Sequence, residues 1–357
     1  MSRTIIRKVT VESLNIPLLE PFTIATGGIS EARNVLITIT LDDGSIGCGE
    51  CAPFSPSTGE TQETALDAAQ GCAKLIEGQD AARWRTLSKL IHSVYFSQAT
   101  ACAGIEMALL DALTRSYGIP LYTFFGGAST SVETDISIPM VTPEHGYELA
   151  KNIVARGITS IKIKVGGDLR NDVARVQAIR EAAPGLGLTL DANQGYTASE
   201  ALLCLEALDD HDIRPLLMEQ PVHKDDYEGL RYVTQHTTVP VAADESVSTA
   251  AQAAHLISMG AVNVVNIKLM KAGFVEPLDI AAVCRATHTG LMIGAMIESR
   301  LAISAAAHFV AGLGGFRYVD LDTPMLLAED PFVGGYVQHG GVYDLSGVER
   351  GLGVEKK

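Results

Sequence analysis

Two hydrophobic periodicities divide the chain. Over residues 1–60 apolar and polar positions alternate, as in TIIRKVTVESLNIPL and NVLITITLDD, and LDDGSIGCGE carries a turn signal. That period of two predicts half-buried antiparallel strands. Over 61–117 the spacing becomes helical, in TQETALDAAQGCAKLIEG, AARWRTLSKLIHSV and TACAGIEMALLDALTRSYG. Strands followed by helices predict an α+β module, with FFGGAST (124–130) leading out of it. From about residue 134 short apolar strands alternate with amphipathic helices, the pattern of parallel βα units. The strands are expected to end near Met140, Lys164, Asp191, Glu219, Asp244, Lys268, Glu298 and Asp322, with separations from 24 to 30 residues. Eight strands at near-constant spacing predict an α/β fold, a (β/α)8-type (modified TIM) barrel rather than an open sheet. No G-x-G-x-x-G opens a helix after a strand, so no dinucleotide site is expected. The expected domains are an α+β capping domain over 1–128 and a catalytic barrel over 129–330. The glycine-rich segment 331–357 returns to complete the cap.

The polar interruptions of this pattern carry the chemistry. In TSIKIKVGGD (159–168) Lys162 and Lys164 sit two apart on a strand, so both face one way while Ile161, Ile163 and Val165 face the other. Their Cα atoms lie about 6.5–7 Å apart, a costly arrangement of like charges in a buried place. The strand ends IKIKVG, LTLDANQG, LLMEQPV, VAADES, VVNIKLMKAG, GAMIESR and RYVDLDT all carry an ionisable residue, and barrel enzymes place their catalytic groups at that end. A lone acid there is ordinarily a helix cap; seven in succession are not explained that way. Asp191, Glu219 and Asp244 on neighbouring strands would repel one another without a cation among them. An all-oxygen set with open positions suits Mg²⁺, and the lack of His or Cys argues against zinc. Strands two and six of an eight-stranded barrel face each other, so Lys162 and Lys164 stand opposite Lys268. Lys162 is expected to lower the pKa of Lys164 by repulsion toward the ~7–8 a general base needs. A structural ion network and a Schiff-base lysine are the alternatives, the second fitting poorly with three carboxylates.

Composition narrows the partners. The chain has 357 residues, 47% hydrophobic and 19% charged, with a net charge of −15. That charge argues against nucleic acid or an anionic membrane surface as a partner. The N-terminus has no apolar signal core and no apolar run reaches the ~18 residues of a membrane helix, so a cytoplasmic protein is expected. Of six cysteines only Cys48 and Cys51 are close, which reads as free thiols in a reducing compartment.

These residues resemble the enolase superfamily in its muconate-lactonising subgroup. The capped barrel, the K-x-K of strand two, the Asp/Glu/Asp of strands three to five and the lysine of strand six carry the likeness over nearly the whole chain. Within the subgroup, IKIKVGGD, LDANQGY, EQPVHKDD, ADESV, NIKLMKAG and MIESRLAISAAAHF resemble the dipeptide epimerases. The resemblance implies an isomerase with one Mg²⁺ per subunit on Asp191, Glu219 and Asp244, holding the C-terminal carboxylate of a dipeptide. Asp320 and Asp322 would bind its α-ammonium, and two carboxylates on one strand face do make a cation site. Lys164 and Lys268 would remove and return the α-proton on opposite faces. Lys162 would add positive charge beside the enediolate. Ser137 and Ile297 match substrate contacts, and Glu298 either backs the site or has a plain surface or loop-pairing role. A homo-oligomer is also implied. Relatives acting on L-Ala-D/L-Glu place an arginine in the cap loop for the glutamate side chain. Here the loop is EPFTIATGGISEAR, with Gly27 about there and no basic residue before Arg33. A neutral or apolar second residue, such as Ala, Leu, Phe or Tyr, is therefore expected, with Phe22, Ile24 and Gly27-Gly28 lining its pocket. Other readings are an L-Ala-D/L-Glu epimerase of peptidoglycan recycling, a muconate cycloisomerase, an o-succinylbenzoate synthase or related dehydratase, and a non-enzymatic solute-binding barrel. Bases on both faces argue against the last.

Overall fold

The alternation near the N-terminus builds a long antiparallel hairpin. The computed structural model describes residues 3–25 and 27–357. Strands β1 (Ile6–Ile24) and β2 (Gly27–Leu41) pair along their length, and β3 (Ile46–Cys51) adds to β2. The stretch EPFTIATGGISEAR is therefore the distal part of a hairpin and not a loop. Phe22 pairs with Ile29, Thr23 with Gly28 and Ile24 with Gly27, beyond a register shift after Pro17. Thr26 lies outside the described residues. Helices Gln62–Ile76 and Ala99–Tyr117 cover the sheet, and Trp84–Val94 packs on those two helices. Ala99–Tyr117 is buried almost throughout because its small residues meet glycines of β3: a Cβ at Gly49 would overlap the Gly104 carbonyl oxygen.

After β4 (Ser131–Glu133), eight parallel strands form one sheet in chain order. They are β5 (Ile136–Ile138), β6 (Ser160–Lys164), β7 (Gly187–Asp191), β8 (Leu217–Glu219), β9 (Val241–Ala243), β10 (Val264–Lys268), β11 (Gly290–Gly294) and β12 (Phe316–Val319). The ends meet where Asp135 N donates to Val319 O (3.0 Å) and Leu321 N to Thr134 Oγ1 (2.8 Å). Ile161, Ile163 and Val165 pack outward with the helices. Leu217, Ala242, Val264, Met292 and Tyr318 form a separate cluster on the same strands.

Three expected strand ends are displaced. β5 stops at Ile138, β11 at Gly294 and β12 at Val319. Glu298 thus lies past its strand, where its Oε1 accepts Met296 N (2.8 Å) and bends the chain into helix Arg300–Leu313. Asp322 opens a 3-10 turn, with its carbonyl accepting Met325 N (2.8 Å). The C-terminal strands are β13 (Phe332–Gly334), β14 (Val337–His339), β15 (Val342–Asp344) and β16 (Val354–Lys356). β15 joins β4, while Arg115 Nη2 donates to Val354 O (2.8 Å) and Leu352 N to Asp111 Oδ1 (2.7 Å). Among the described residues no helix is long and apolar enough to cross a membrane.

Two buried carboxylates join the N-terminal module to the barrel. Glu50 accepts Ser299 N (3.0 Å) and Ser299 Oγ (2.5 Å) at the start of helix Arg300–Leu313. Glu106 Oε2 accepts Phe274 N (2.5 Å) and Val275 N (3.2 Å) at the start of helix Val275–Ala286. Both place negative charge at a helix N-terminus, where the dipole favours it. His92 Nε2 lies 2.9 Å from Glu106 Oε1. Burial disfavours the imidazolium, but the Cys102 sulfur and the Glu106 carboxylate hold it up to about 10, from 6.5. A raised folded-state pKa stabilises fully below 6.5, and the benefit is lost as pH rises through about 10. Thermal melts should show His92→Gln less stable than wild type by about 1.5–3 kcal/mol at pH 6, with the gap closing toward pH 10. A gap independent of pH would refute the charged pair.

Candidate active site

Strand register gathers the ionisable groups at one end of the barrel. Lys164 pairs in register with Asp191, and Asp191 with Glu219. Asp244 directly follows β9 and Lys268 ends β10. Lys268 faces Gly294 of β11, where a Cβ would come within 3.0 Å of the lysine Cε; the glycine leaves room for the ammonium chain. Lys162, Lys164, Asp191, Glu219, Asp244 and Lys268 are all buried. One and three residues past β12, Asp320 and Asp322 turn back into the same cluster.

The charges interlock. Lys162 Nζ lies 2.6 Å from Asp320 Oδ2, 2.7 Å from Glu219 Oε2 and 3.0 Å from Asp191 Oδ2. Lys164 Nζ donates to Asp191 Oδ2 (2.6 Å), and Lys268 Nζ lies 2.8 Å from Asp244 Oδ2. The expected bare Lys162 repelling its neighbour is not found. Burial alone would lower its pKa, but Asp191, Asp320, Glu219 and Asp135 hold it well above the usual lysine value. Lys268 is likewise raised, burial being overridden by Asp244. Asp191 and Asp244 are held low against burial, the first by Lys162 and Lys164, the second by Lys268 and Lys271. Burial and the Asp191 charge push Glu219 up to about 8, and burial with Asp320 pushes Asp322 up to about 7.

A cavity of about 50 Å³ opens onto this cluster. Every side chain that the sequence suggested for substrate lines it: Phe22 and Ile24 from the hairpin, Ser137, Ile297, Asp320 and Asp322. Ser137 N also donates to Asp322 Oδ2 (2.6 Å). Gly28 is exposed and does not line it. Arg33 points away, pairing with Glu63 at 2.8 Å on the surface. Among the described lining residues Lys164 and Lys268 are the only cations. A larger cavity, about 610 Å³, lies at the other end of the barrel around Glu133, Thr159 and Gly187. Among its described lining residues Arg317 is the one Lys or Arg, so no pair of lysines faces it.

Among the described residues no three His, Cys, Asp or Glu side chains already enclose a point where an ion would sit; lysine ammoniums hold that charge. The donors nevertheless fit a hard cation. They are all oxygen, and Glu219 Oε2 and Asp244 Oδ2 are buried without an aligned hydrogen bond.

Sequence reasoning missed several supports. Gln220 Oε1 accepts Asp244 N (2.9 Å) and Ser246 N (3.2 Å), pinning the turn after β9. Asp172 accepts Gly166 N and Gly167 N (both 2.9 Å) and Tyr196 Oη (2.6 Å). It also pairs with Arg175, whose Nη2 donates to Lys164 O (2.8 Å). Asp135 lies buried beneath Lys162 and Asp320, its pKa raised by burial and by Asp320. Its signal was legible, because in TDISI it stands two residues before Ser137, just ahead of β5, where extended backbone would turn both to one side. Glu298 is 1% exposed, its pKa pushed by burial up to about 8, which removes the surface role.

Opposed lysines across a carboxylate cluster, at the catalytic end of a capped parallel barrel, define an acid–base enzyme. Residues 147–357 match the enolase C-terminal domain-like family, and residues 6–126 the mandelate racemase/muconate lactonizing enzyme N-terminal domain. The chain belongs to this family of the enolase superfamily. It is similar to an aromatic dipeptide epimerase of Herpetosiphon aurantiacus, 44% identical over 97% of each chain. It is similar also to an L-Ala-D/L-Glu epimerase of Bacillus subtilis, 36% identical over 97% of this chain and 96% of the other. Among solved structures, a dipeptide epimerase of Enterococcus faecalis complexed with Mg and L-Leu-L-Tyr superposes with a TM-score of 0.95. It is 35% identical, covering 98% of this chain and 99% of that one.

Proposed function

We propose that the protein is a Mg²⁺-dependent dipeptide epimerase, inverting the α-carbon of the C-terminal residue of an L-Ala-L-Xaa dipeptide with neutral or apolar Xaa. The observation that carries it is the pair Lys164 and Lys268, from strands on opposite sides of the barrel, lining one cavity with Asp320 and Asp322. Asp191, Glu219 and Asp244 would hold the metal. When bound, it supplies charge that acidifies the α-proton of a neighbouring carboxylate, and neutralises the acids that keep Lys268 an ammonium.

The rest falls to the side chains. One lysine takes the α-proton from its face and the other delivers a proton to the opposite face, so the net change is inversion. Lys162, held by three carboxylates, contributes fixed positive charge where negative charge develops. Asp320 and Asp322 receive the α-ammonium. That pairing favours a dipeptide over a cycloisomerase substrate without an ammonium, which would meet repulsion. Phe22, Ile24, Phe54 and Met296 present apolar surface to Xaa. A glutamate side chain would bury a carboxylate with no arginine partner, at a cost of several kcal/mol at most. The related aromatic dipeptide epimerase supports the same preference. The resemblance also supports a capping domain over 1–128 completed by 331–357, a catalytic barrel over 129–330, a cytoplasmic location and a homo-oligomer.

Mass spectrometry of an L-Ala-L-Xaa library, incubated with protein and Mg²⁺ in D₂O, tests the reading. A gain of one mass unit in the apolar members is expected. Labelling of Ala-Glu alone would keep the chemistry and overturn the specificity. No labelling would move the weight to a cycloisomerase or dehydratase.

A further inference from the structure

Each of the three clustered carboxylates has one oxygen already taken by a protein donor. Asp191 Oδ1 accepts Asn193 N (2.9 Å), an N–H turned back on the strand by the left-handed backbone of Asn193 (φ 41°). Glu219 Oε1 accepts Asn266 Nδ2 (2.6 Å). Asp244 Oδ1 accepts Lys271 Nζ (2.7 Å), which also donates to Asp244 O (2.6 Å) and Asn266 O (3.1 Å). Those three bonds use every proton of the Lys271 ammonium. Lys271 therefore differs in kind from Lys268, three residues earlier, which faces the cavity shared with Lys164. The second oxygens, Asp191 Oδ2, Glu219 Oε2 and Asp244 Oδ2, are the ones that face the lysines. Glu219 Oε2 and Asp244 Oδ2 are buried and accept no aligned hydrogen bond.

The geometry points to Asn266 and Lys271 as positioning residues that set the denticity of the cation site. By holding back one oxygen of Glu219 and one of Asp244, they make each carboxylate a single-oxygen ligand. Three carboxylates then offer three oxygens, and an octahedral cation keeps three positions for substrate and water. This matches Mg²⁺, which demands six ligands in near-ideal geometry, and disfavours Ca²⁺, which takes six to eight and accepts both oxygens of one carboxylate. Asn266 reaches Glu219 because it lies two residues before Lys268 on the same face of β10. The inference rests on the proposed metal-dependent function.

Calorimetric titration of the full chain with Mg²⁺ and, separately, Ca²⁺ tests it in wild type, Lys271→Met and Asn266→Leu, with folding checked by circular dichroism. Wild type is expected to prefer Mg²⁺. Each variant should lose ten- to a hundredfold in Mg²⁺ affinity, the usual effect of removing a group that orients a ligand. Ca²⁺ affinity should fall less or rise, so that the Ca²⁺/Mg²⁺ ratio climbs at least tenfold. Folded variants with wild-type affinities, or with both affinities weakened equally, would overturn the assignment. If Lys271→Met does not fold, Asn266→Leu decides alone through the same ratio. A wild type that binds neither cation would instead overturn the metal-dependent function itself.

Discussion

Lys268→Met is expected to cut inversion of the dipeptide at least about 10³-fold, within the 10²–10⁴ that a positioned acid or base contributes, while exchange of the α-proton continues on one isomer. Methionine keeps the length of the chain and removes the basic nitrogen. With Lys268 gone, Lys164 still faces the cavity and can still exchange the proton presented to it. It cannot deliver a proton to the far side. Lys164→Met should show the mirror image, with exchange confined to the other isomer. Proton NMR of each pure isomer in D₂O measures this directly. Loss of signal from both isomers in either single variant would mean that one lysine serves both faces, and the two-base reading would fall. Asp244 keeps Lys271 as a partner in Lys268→Met, so that variant does not strand a buried charge.

Lys162→Met is expected to do more to the fold than to any one step. The Lys162 side chain is 1% exposed and its ammonium lies within 3.0 Å of oxygens of Asp191, Glu219 and Asp320. Removing it leaves converging carboxylates in a dry interior with too little positive charge. Breaking a buried ionic group from one side costs about 3–5 kcal/mol, a large share of a typical domain's stability. Urea unfolding in the presence of a chelator should show that loss. Millimolar Mg²⁺ should restore part of it, because a ligand that binds only the folded state stabilises by mass action. A variant as stable as wild type with the chelator present would show that the carboxylates are discharged by other means, such as protonation. A loss that Mg²⁺ leaves untouched would argue against those acids as its ligands.

Properties set by consecutive residues were legible in the sequence. The alternation in IKIK places Lys162 and Lys164 inward and Ile161 and Ile163 outward whatever surrounds the strand, since successive side chains of a strand must oppose. The recurrence of short strands and helices likewise announced the barrel, and strand-end position then named Asp191, Glu219, Asp244 and Lys268. Three readings failed where local pattern was outvoted. The segment around Ile24 is a loop by the family resemblance, yet it continues a hairpin begun far upstream. Glu298 reads as a strand end, yet its own carboxylate bends the chain four residues past β11. Lys162 reads as a charge repelling Lys164, because its counter-charges arrive from β7, β8 and the turn after β12. Only closure of the barrel brings those within 3.0 Å. The roles of Asn266, Lys271, Glu50 and Glu106 were hidden for the same reason. Periodicity tells which way a side chain points; which groups meet it there is decided by register and by packing between distant segments.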